Sequence, residues 1–236
     1  MDIILIPGFW LDASSWDDVV PALEQAGHRA RPLTLPGMDS RDADRSQITL
    51  RDHIEAVIGV IDAMDPARGK VMLVGHSGGG AVAHGAVDAR PGRVHRVVYV
   101  DSGPLGEGGV INDELPSVNG EVPLPDWPVF DDEDLVDLSA DLRAAFRARA
   151  IPTPLRVASD PQRLTDERRY DVPVTVIACE FPSSMLREWI AQGHPYVAEL
   201  ARIREVDYID LPTGHWPQFT RPADLGRAIL ASVGPA

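Results

Sequence analysis

The sequence lacks a second cysteine and any recognisable pattern of metal ligands. It contains one cysteine, Cys179, so no disulfide can form within the chain. Its His, Cys, Asp and Glu residues show no spacing typical of metal ligands. The stretch 106–109 is rich in glycine but lacks the preceding strand and following helix of a phosphate-binding loop. We therefore expect neither a metal ion nor an organic cofactor.

Long apolar runs and clustered positive charge are also missing. No run approaches the ~20 residues of a membrane helix, and the apolar run after Met1-Asp2 is too short for a secretory signal. The net charge is −14 and Lys70 is the only lysine, which disfavours nucleic acid and anionic membranes as partners. The expected location is the cytoplasm. The sequence leaves a homodimer open.

What the sequence does contain is an alternation of short apolar runs with helical periodicity. Apolar runs predict strands at 3–6, 30–35, 71–74, 94–100, 172–178 and 206–211, and periodicity predicts helices at 15–26, 49–64, 78–88 and 223–233. Continuous apolar strands separated by helices are typical of a parallel sheet covered on both faces. We predict a doubly wound, six-stranded sheet whose ligand crevice lies at the carboxyl ends of the strands.

The segment between the fourth and fifth predicted strands is far longer than one crossover helix requires. It is rich in Gly, Pro and Asn over 104–128, and two helical stretches follow at 133–148 and 161–170. An insertion at the crevice end is most simply a cap over the site. We predict a small, mostly helical cap over about 104–171, within one domain spanning 1–236. We interpret the acidic run 131–134, with Asp137 and Asp141, as a solvated helix face.

The motif with the clearest chemistry is Gly75-His76-Ser77-Gly78-Gly79. It follows the 71–74 strand directly and opens a helix, which is the context of a nucleophile elbow. Bulky residues would clash in so tight a turn, hence the glycines on both sides of Ser77. The helix N-terminus favours negative charge developing at the serine. We interpret His76, at the variable position of the motif, as a packing residue.

With this motif in this place, the chain resembles the α/β-hydrolase fold family, specifically its small-capped serine esterases. The resemblance extends from Ile3 to Val233. The chain starts at what looks like the family's third strand, so two leading strands are expected to be missing. The order serine, acid, histidine also matches the family. Gly214-His215, in the loop between the sixth strand and the final helix, looks like the family's catalytic histidine, which accepts the proton of the serine.

The acid is the point at which the sequence departs from the family's commonest pattern. The family usually carries an aspartate shortly after the fifth strand, where this chain has Phe181 or Pro182. Two replacements remain open, Asp101 at the end of the fourth strand and Glu180 at the end of the fifth. Some members of the family take their acid from the position of Asp101. We favour Asp101 because a short carboxylate at a strand end orients an imidazole rigidly, with Glu180 as the alternative.

The resemblance also implies an oxyanion hole and an apolar pocket. The two backbone N–H donors would belong to Gly78, after the nucleophile, and to Phe9, in the loop after the first strand. Relatives usually have His-Gly in that loop, where this chain has Pro-Gly. Trp10, Trp127, Phe130 and Trp216 adjoin the catalytic loops or the start of the cap, and we predict that they bind the substrate.

These expectations together predict a serine hydrolase that cleaves a carboxylic ester or lactone of a small, largely apolar substrate through an acyl-enzyme. Alternatives on the same residues are a hydroxynitrile-lyase-like or perhydrolase activity, and a non-catalytic small-molecule binding protein or receptor. The family's lyases tend to place a lysine near the site. Lys70 begins a strand at its far end, which disfavours the lyase.

Overall fold

The chain forms alternating strands and helices in the computed structural model, which describes residues 1–234. The strands are β1 (Asp2–Ile6), β2 (Arg29–Pro32), β3 (Val71–His76), β4 (Val94–Val100), β5 (Glu121–Val122), β6 (Thr153–Pro154), β7 (Val174–Ala178) and β8 (Val206–Asp210). The helices are α1 (Val20–Gln25), α2 (Leu50–Ala63), α3 (Gly78–Ala89), α4 (Ala140–Arg149), α5 (Leu155–Ser159), α6 (Ser183–Gln192), α7 (Pro217–Thr220) and α8 (Pro222–Ala231).

Six of these strands form one parallel sheet in the order β2-β1-β3-β4-β7-β8. This confirms the predicted six-stranded parallel sheet. The register brings His76 level with Val100 on β4, and Val100 level with Ile177 on β7. The residues that follow these three strands therefore lie side by side at one edge of the sheet. That edge is where the sequence predicts the site.

Apolar residues on alternate positions of the strands build a core on each face. On β1, Ile4 and Ile6 pack with α2 and α3, whereas Ile3 and Leu5 pack with α1 and α8. Successive side chains of a strand point to opposite faces, so an unbroken apolar run buries both faces at once. All five residues of β1 are buried. The two cores hold the strand ends rigidly in register.

The helix boundaries differ from the sequence prediction in several places. The predicted helix 15–26 is split into a 3₁₀ turn over Ala13–Trp16 and the short α1, whose Pro21 fits only in a first helical turn. The predicted helix 133–148 begins only at Ala140, because Ser139 caps it through the N–H of Leu142. Of 161–170, only a 3₁₀ turn over Glu167–Asp171 forms. The sequence predicts no helix at the positions of α5, α6 and α7, all of which form.

The long segment between β4 and β7 packs over the carboxyl edge of the sheet. Its β5 and β6 pair as a small antiparallel sheet, and a third apolar cluster joins the segment to the loop after β1. Trp10 fixes that junction, because its N–H donates to Thr153 Oγ1 and its indole Nε1–H donates to the Val122 carbonyl, both at 3.0 Å. No helix formed by residues 1–234 is long and apolar enough to cross a membrane.

Candidate active site

Ser77 lies on a strained turn between β3 and α3. Its φ is +52° and its ψ is −128°, a conformation that persists only where the surrounding structure enforces it. A Cβ on Gly79 would come within 2.6 Å of the Ile6 carbonyl oxygen, and one on Gly75 within 2.6 Å of the Gly79 carbonyl oxygen. The glycines of the motif are therefore required by the close approach of backbone to backbone. The turn presents the Ser77 hydroxyl at the carboxyl edge of the sheet.

The structure brings His215 and Asp101 to this serine. Nε2 of His215 lies 2.8 Å from Ser77 Oγ, and its Nδ1 lies 2.7 Å from Asp101 Oδ2. The ring can therefore donate its Nδ1–H to Asp101 and accept the hydroxyl proton of Ser77 at Nε2. Asp101 follows β4 and His215 follows β8, so residues far apart in sequence form one line of hydrogen bonds.

Asp101 is held as a carboxylate by its neighbours. Its Oδ1 accepts hydrogen bonds from the backbone N–H groups of Cys179 and Glu180, each at 3.1 Å. Burial raises the pKa of Asp101, but the hydrogen bond and charge of His215 outweigh burial and lower it. Burial conversely lowers the pKa of His215, and the Asp101 and Glu180 carboxylates outweigh that effect and raise it. The pair favours the imidazolium that proton transfer from serine would create.

Glu180 is the second carboxylate at this imidazole. Its Oε1 lies 2.8 Å from His215 Nδ1. Burial is the main reason that the pKa of Glu180 is raised to about 8. Asp101, Glu180 and His215 also form a group whose potential ligand atoms lie within 4.8 Å of one another. Because Nδ1 is already hydrogen-bonded to Asp101, the group has the geometry of an oriented imidazole rather than an open metal site.

His76 does more than the packing role that we inferred from the sequence. Its Nε2 lies 2.6 Å from the His215 carbonyl oxygen, and Gln218 Nε2 lies 3.2 Å from its Nδ1. Burial lowers the pKa of His76 to about 3, so the ring is neutral, with its proton on Nε2 donated to His215. A histidine that directly precedes the serine thus ties the elbow to the His215 loop. The only sign of this role in the sequence is that His76 directly precedes Ser77.

The acidic run 131–134 and Asp137 do not form the helix that we expected, although most of these acids are exposed as predicted, and only Asp141 lies on a helix. The backbone of this segment packs on the His215 loop, where the His215 N–H donates to the Asp134 carbonyl at 2.8 Å and the Gly214 N–H to the Val136 carbonyl at 3.2 Å. A Cβ on Gly214 would lie 2.3 Å from the Asp134 carbonyl oxygen. The side chain of Asp137 accepts hydrogen bonds from Thr213 and Arg221. The sequence pattern predicts the exposure of these acids but gives no sign of the backbone contacts.

Phe9 and Gly78 lie against one another beside Ser77. A Cβ on Gly78 would be 2.8 Å from Cε1 of the Phe9 ring, and a Cβ on Gly8 would be 2.8 Å from the Ser77 Cβ. Gly78 is the first residue of α3, where backbone N–H groups have no acceptor within the helix. The two residues that we predict as oxyanion donors therefore lie next to the Ser77 turn, and their role as donors stays a prediction.

A cavity of about 940 Å³ opens onto these residues. Ser77, His215, Phe9, Trp10 and Phe130 are among the residues of its wall. Trp127 and Trp216 lie behind that wall in a cluster of rings, with the Phe130 and Trp216 centroids 5.3 Å apart. Trp216 is almost completely buried. The substrate-binding role of all four aromatic residues remains a prediction.

Comparison with known proteins places this chain in a family. The sequence profile of the Alpha/beta hydrolase family matches residues 3–228. The chain belongs to the alpha/beta hydrolase family. A carbendazim hydrolyzing esterase from a Nocardioides species is 34% identical over 102 residues, which cover 43% of this chain and 41% of that protein. A probable hydrolase, R7, from a Phoma species is 26% identical over 98% of both chains.

Solved structures show the same alpha/beta hydrolase fold. An extracellular alpha/beta-hydrolase from a Paenibacillus species superposes with a TM-score of 0.74 and 21% identity, over 98% of both chains. At this identity the likeness establishes the fold alone. The stretch matched in the Nocardioides esterase spans about two fifths of that protein's length.

Proposed function

We propose that this alpha/beta hydrolase is a serine hydrolase that cleaves carboxylic esters or lactones of small, largely apolar substrates through an acyl-enzyme. The observation that carries the proposal is the line of hydrogen bonds from Asp101 through His215 to Ser77, on a strained elbow that faces a cavity. A serine, a base and an acid in this order are the parts that acyl transfer requires. The esterase and hydrolase among the relatives support the same reaction class.

In the mechanism, His215 Nε2 accepts the proton of Ser77 as Oγ attacks the carbonyl carbon of the ester. The carbonyl oxygen becomes an oxyanion and accepts hydrogen bonds from the backbone N–H groups of Phe9 and Gly78. Asp101 stabilises the imidazolium through Nδ1–H. The C–O bond then breaks, and the departing alkoxide takes the proton from Nε2 and leaves as the alcohol. The acyl group remains on Ser77.

Water completes the cycle by the same steps. His215 removes a proton from a water molecule, whose oxygen attacks the acyl carbon. The second tetrahedral intermediate collapses, Ser77 Oγ recovers the proton from Nε2, and the carboxylic acid is released. The segment 104–171 acts as the cap that shields the acyl-enzyme, since it packs over the carboxyl edge and contributes Leu105, Ile111 and Phe130 to the cavity wall.

The substrate class follows from the cavity wall. Aromatic and aliphatic side chains line it beside the serine, which favours apolar acyl or alcohol groups. The cavity is also bordered by one arginine, Arg202, and by four acids, Asp101, Glu107, Asp134 and Glu199. Because acids outnumber the arginine, an anionic substrate would meet a predominance of like charge. A lyase reaction is disfavoured because Lys70 is exposed and directly precedes β3, at the opposite end from Ser77.

The experiment is intact-mass analysis after treatment with a fluorophosphonate, which reacts with activated serines without resembling any particular substrate. We expect one adduct on the wild type and none on Ser77→Ala. An activated aryl ester then gives kcat and KM for both proteins. Absence of an adduct on folded wild-type protein would contradict the hydrolase and favour a non-catalytic binding protein.

A further inference from the structure

Two carboxylates compete for one hydrogen at the back of the His215 ring. Asp101 Oδ2 lies 2.7 Å from Nδ1 and Glu180 Oε1 lies 2.8 Å from it. Nδ1 carries a single hydrogen, which can point well at only one oxygen. The hydrogen bond runs to Asp101, and Glu180 Oε1 has no hydrogen-bond partner among the described residues although it is buried. A triad needs only one acid, so the second carboxylate calls for an explanation.

The surroundings differ between the two carboxylates. Asp101 receives two backbone N–H groups in addition to the imidazole, which favours its ionised form. Burial and the charge of Asp101 disfavour ionisation of Glu180, and so does its hydrogen bond with Asp134. Burial and the charges of Asp101 and Glu180 raise the pKa of the Tyr196 phenol and of the Cys179 thiol, so both stay protonated, and burial keeps His76 on β3 neutral. Burial and a like charge this close make Glu180 ionise at higher pH than an ordinary glutamate.

We propose that Glu180 is a second positioning acid for His215. Its negative charge adds to that of Asp101 at the imidazole, and it takes over the Nδ1–H hydrogen bond when Asp101 cannot accept it as a carboxylate. The proposal rests on the proposed function, because it concerns the imidazole that activates Ser77. Geometry permits the exchange, since Glu180 Oε1 already lies at hydrogen-bond distance from Nδ1. Loss of the Asp101 charge would also make ionisation of Glu180 easier.

The competing explanation is that Glu180 is a neutral side chain that merely fills space at the end of β7. The two explanations differ in how activity depends on pH. A space-filling residue would not alter the proton affinity of His215. A second acid raises the pKa of His215, so its replacement by an uncharged amide must move the acid limb of kcat/KM to lower pH.

The test compares kcat/KM for p-nitrophenyl acetate, from pH 5 to 10, among the wild type and three variants. These are Asp101→Asn, Glu180→Gln and the double variant, with circular dichroism and thermal melting of each. Asparagine can still accept the Cys179 and Glu180 N–H groups at its side-chain oxygen, which preserves the turn. Glu188→Gln, an exposed glutamate on α6, is the matched control and should behave as the wild type.

We expect strongly non-additive losses. The kcat/KM of Asp101→Asn should be only ~10–10²-fold below that of the wild type at alkaline pH. The kcat/KM of the double variant should be lower by ~10⁴, the loss typical of a triad whose acid is removed. Activity of Asp101→Asn should decrease as the pH falls and Glu180 takes up a proton, because a neutral acid cannot stabilise the imidazolium. Glu180→Gln should lose less than about tenfold and shift its acid limb downward. Adding Glu180→Asp to Asp101→Asn should abolish the activity that Glu180 maintains in the single variant, because the shorter side chain cannot reach Nδ1.

Two outcomes overturn the second-acid proposal while leaving the hydrolase intact. One is an Asp101→Asn loss equal to that of the double variant at every pH. The other is a Glu180→Gln acid limb that coincides with the wild type, a result that is informative even if Asp101→Asn does not fold. Absence of fluorophosphonate labelling in the wild type would overturn both proposals, so the two failures are distinguishable.

Discussion

Single residues with unusual backbone geometry determine how closely the loops of the site approach one another. Ser77 and Asp101 both have positive φ without being glycine, as does Trp10 in the loop after β1. Strain of this kind persists where packing enforces it, and it is concentrated at functional sites. Gly214 is the complementary case, because its missing side chain admits the backbone of residues 134–136 against the His215 loop.

Replacement of Gly214 by alanine should displace His215 and lower kcat/KM by ~10–10², because small displacements of a catalytic group are costly. The methyl group would meet the Asp134 carbonyl oxygen at 2.3 Å, so the backbone must move. Kinetics with an aryl ester measure the effect. Gly92→Ala is the matched control, since nothing lies within 4 Å of a Cβ there. Equal activity of both variants would show that the close contact does not position His215.

The protonation of His215 sets a second prediction at this scale. His215 must be neutral to accept the serine proton, so activity should be lost as the pH falls through its pKa. Because the neighbouring carboxylates raise that pKa above the ordinary value of 6.5, the acid limb of kcat/KM should have its midpoint above pH 6.5. The rate of fluorophosphonate labelling gives the same midpoint without a substrate. A midpoint below 6.5 would mean that burial outweighs the carboxylates.

At the scale of elements, the acidic segment 131–137 acts as a brace between the insertion and the base loop. Asp137 is its side-chain contact, since Oδ2 accepts hydrogen bonds from Arg221 Nε at 3.0 Å and from Thr213 Oγ1 at 3.3 Å. Two backbone hydrogen bonds to Gly214 and His215 complete it. The segment cannot become helical without giving up these carbonyl acceptors, which explains why α4 begins only after it.

Asp137→Asn should loosen this brace while keeping the turn, because asparagine tolerates the positive φ of 62° found there. We expect kcat to fall about threefold to tenfold with little change in KM, since the contact orients the base rather than the substrate. Steady-state kinetics provide the measurement. Asp132→Asn, an exposed acid of the same segment, should leave both constants unchanged. A larger effect at Asp132 would contradict the brace.

At the scale of the whole molecule, a buried polar network connects α3 to the chain after the insertion. Arg169 donates to Glu199 at 2.9 Å and to Asp88 at 3.2 Å, and His84 Nε2 lies 3.0 Å from Glu199. Burial raises the pKa of Glu199, but His84 and Arg169 outweigh burial and lower the pKa to about 2. Glu199 and Arg169 therefore form a charged pair at neutral pH. The network anchors the helix that begins at the serine elbow.

Arg169→Met should destabilise the protein by ~3–5 kcal/mol, because it leaves two buried carboxylates without their cation. Urea denaturation followed by circular dichroism measures the free energy of unfolding. Arg90→Met is the control, since Arg90 forms a comparable pair with Asp62 at the surface, where such pairs contribute little. Equal losses of unfolding free energy in the two variants would mean that the buried network stabilises the protein no more than a surface ion pair does.

The sequence by itself determined the sheet, and it singled out the turn that carries Ser77 and the loop that carries His215. Apolar runs of strand length report burial on both faces, so the six strands were predictable to within a few residues. Ser77 and His215 were recognisable because glycines stand beside them in the sequence. Close approach of other backbone atoms requires glycine at those positions. A pattern of this kind depends on contacts within a few residues of the chain.

The sequence names Asp101 and Glu180 as candidate acids, but only the tertiary structure shows that both contact the imidazole. Asp101 and Glu180 follow adjacent strands, and only the register of β4 and β7 brings both carboxylates within 3 Å of His215 Nδ1. The brace at Asp134 and Val136 is formed by backbone carbonyls, which carry no sequence signal, so the pattern of charges predicted a helix face instead. The link from His76 to His215 joins residues 139 positions apart. Contacts of that range depend on packing of the whole chain, which local periodicity does not encode.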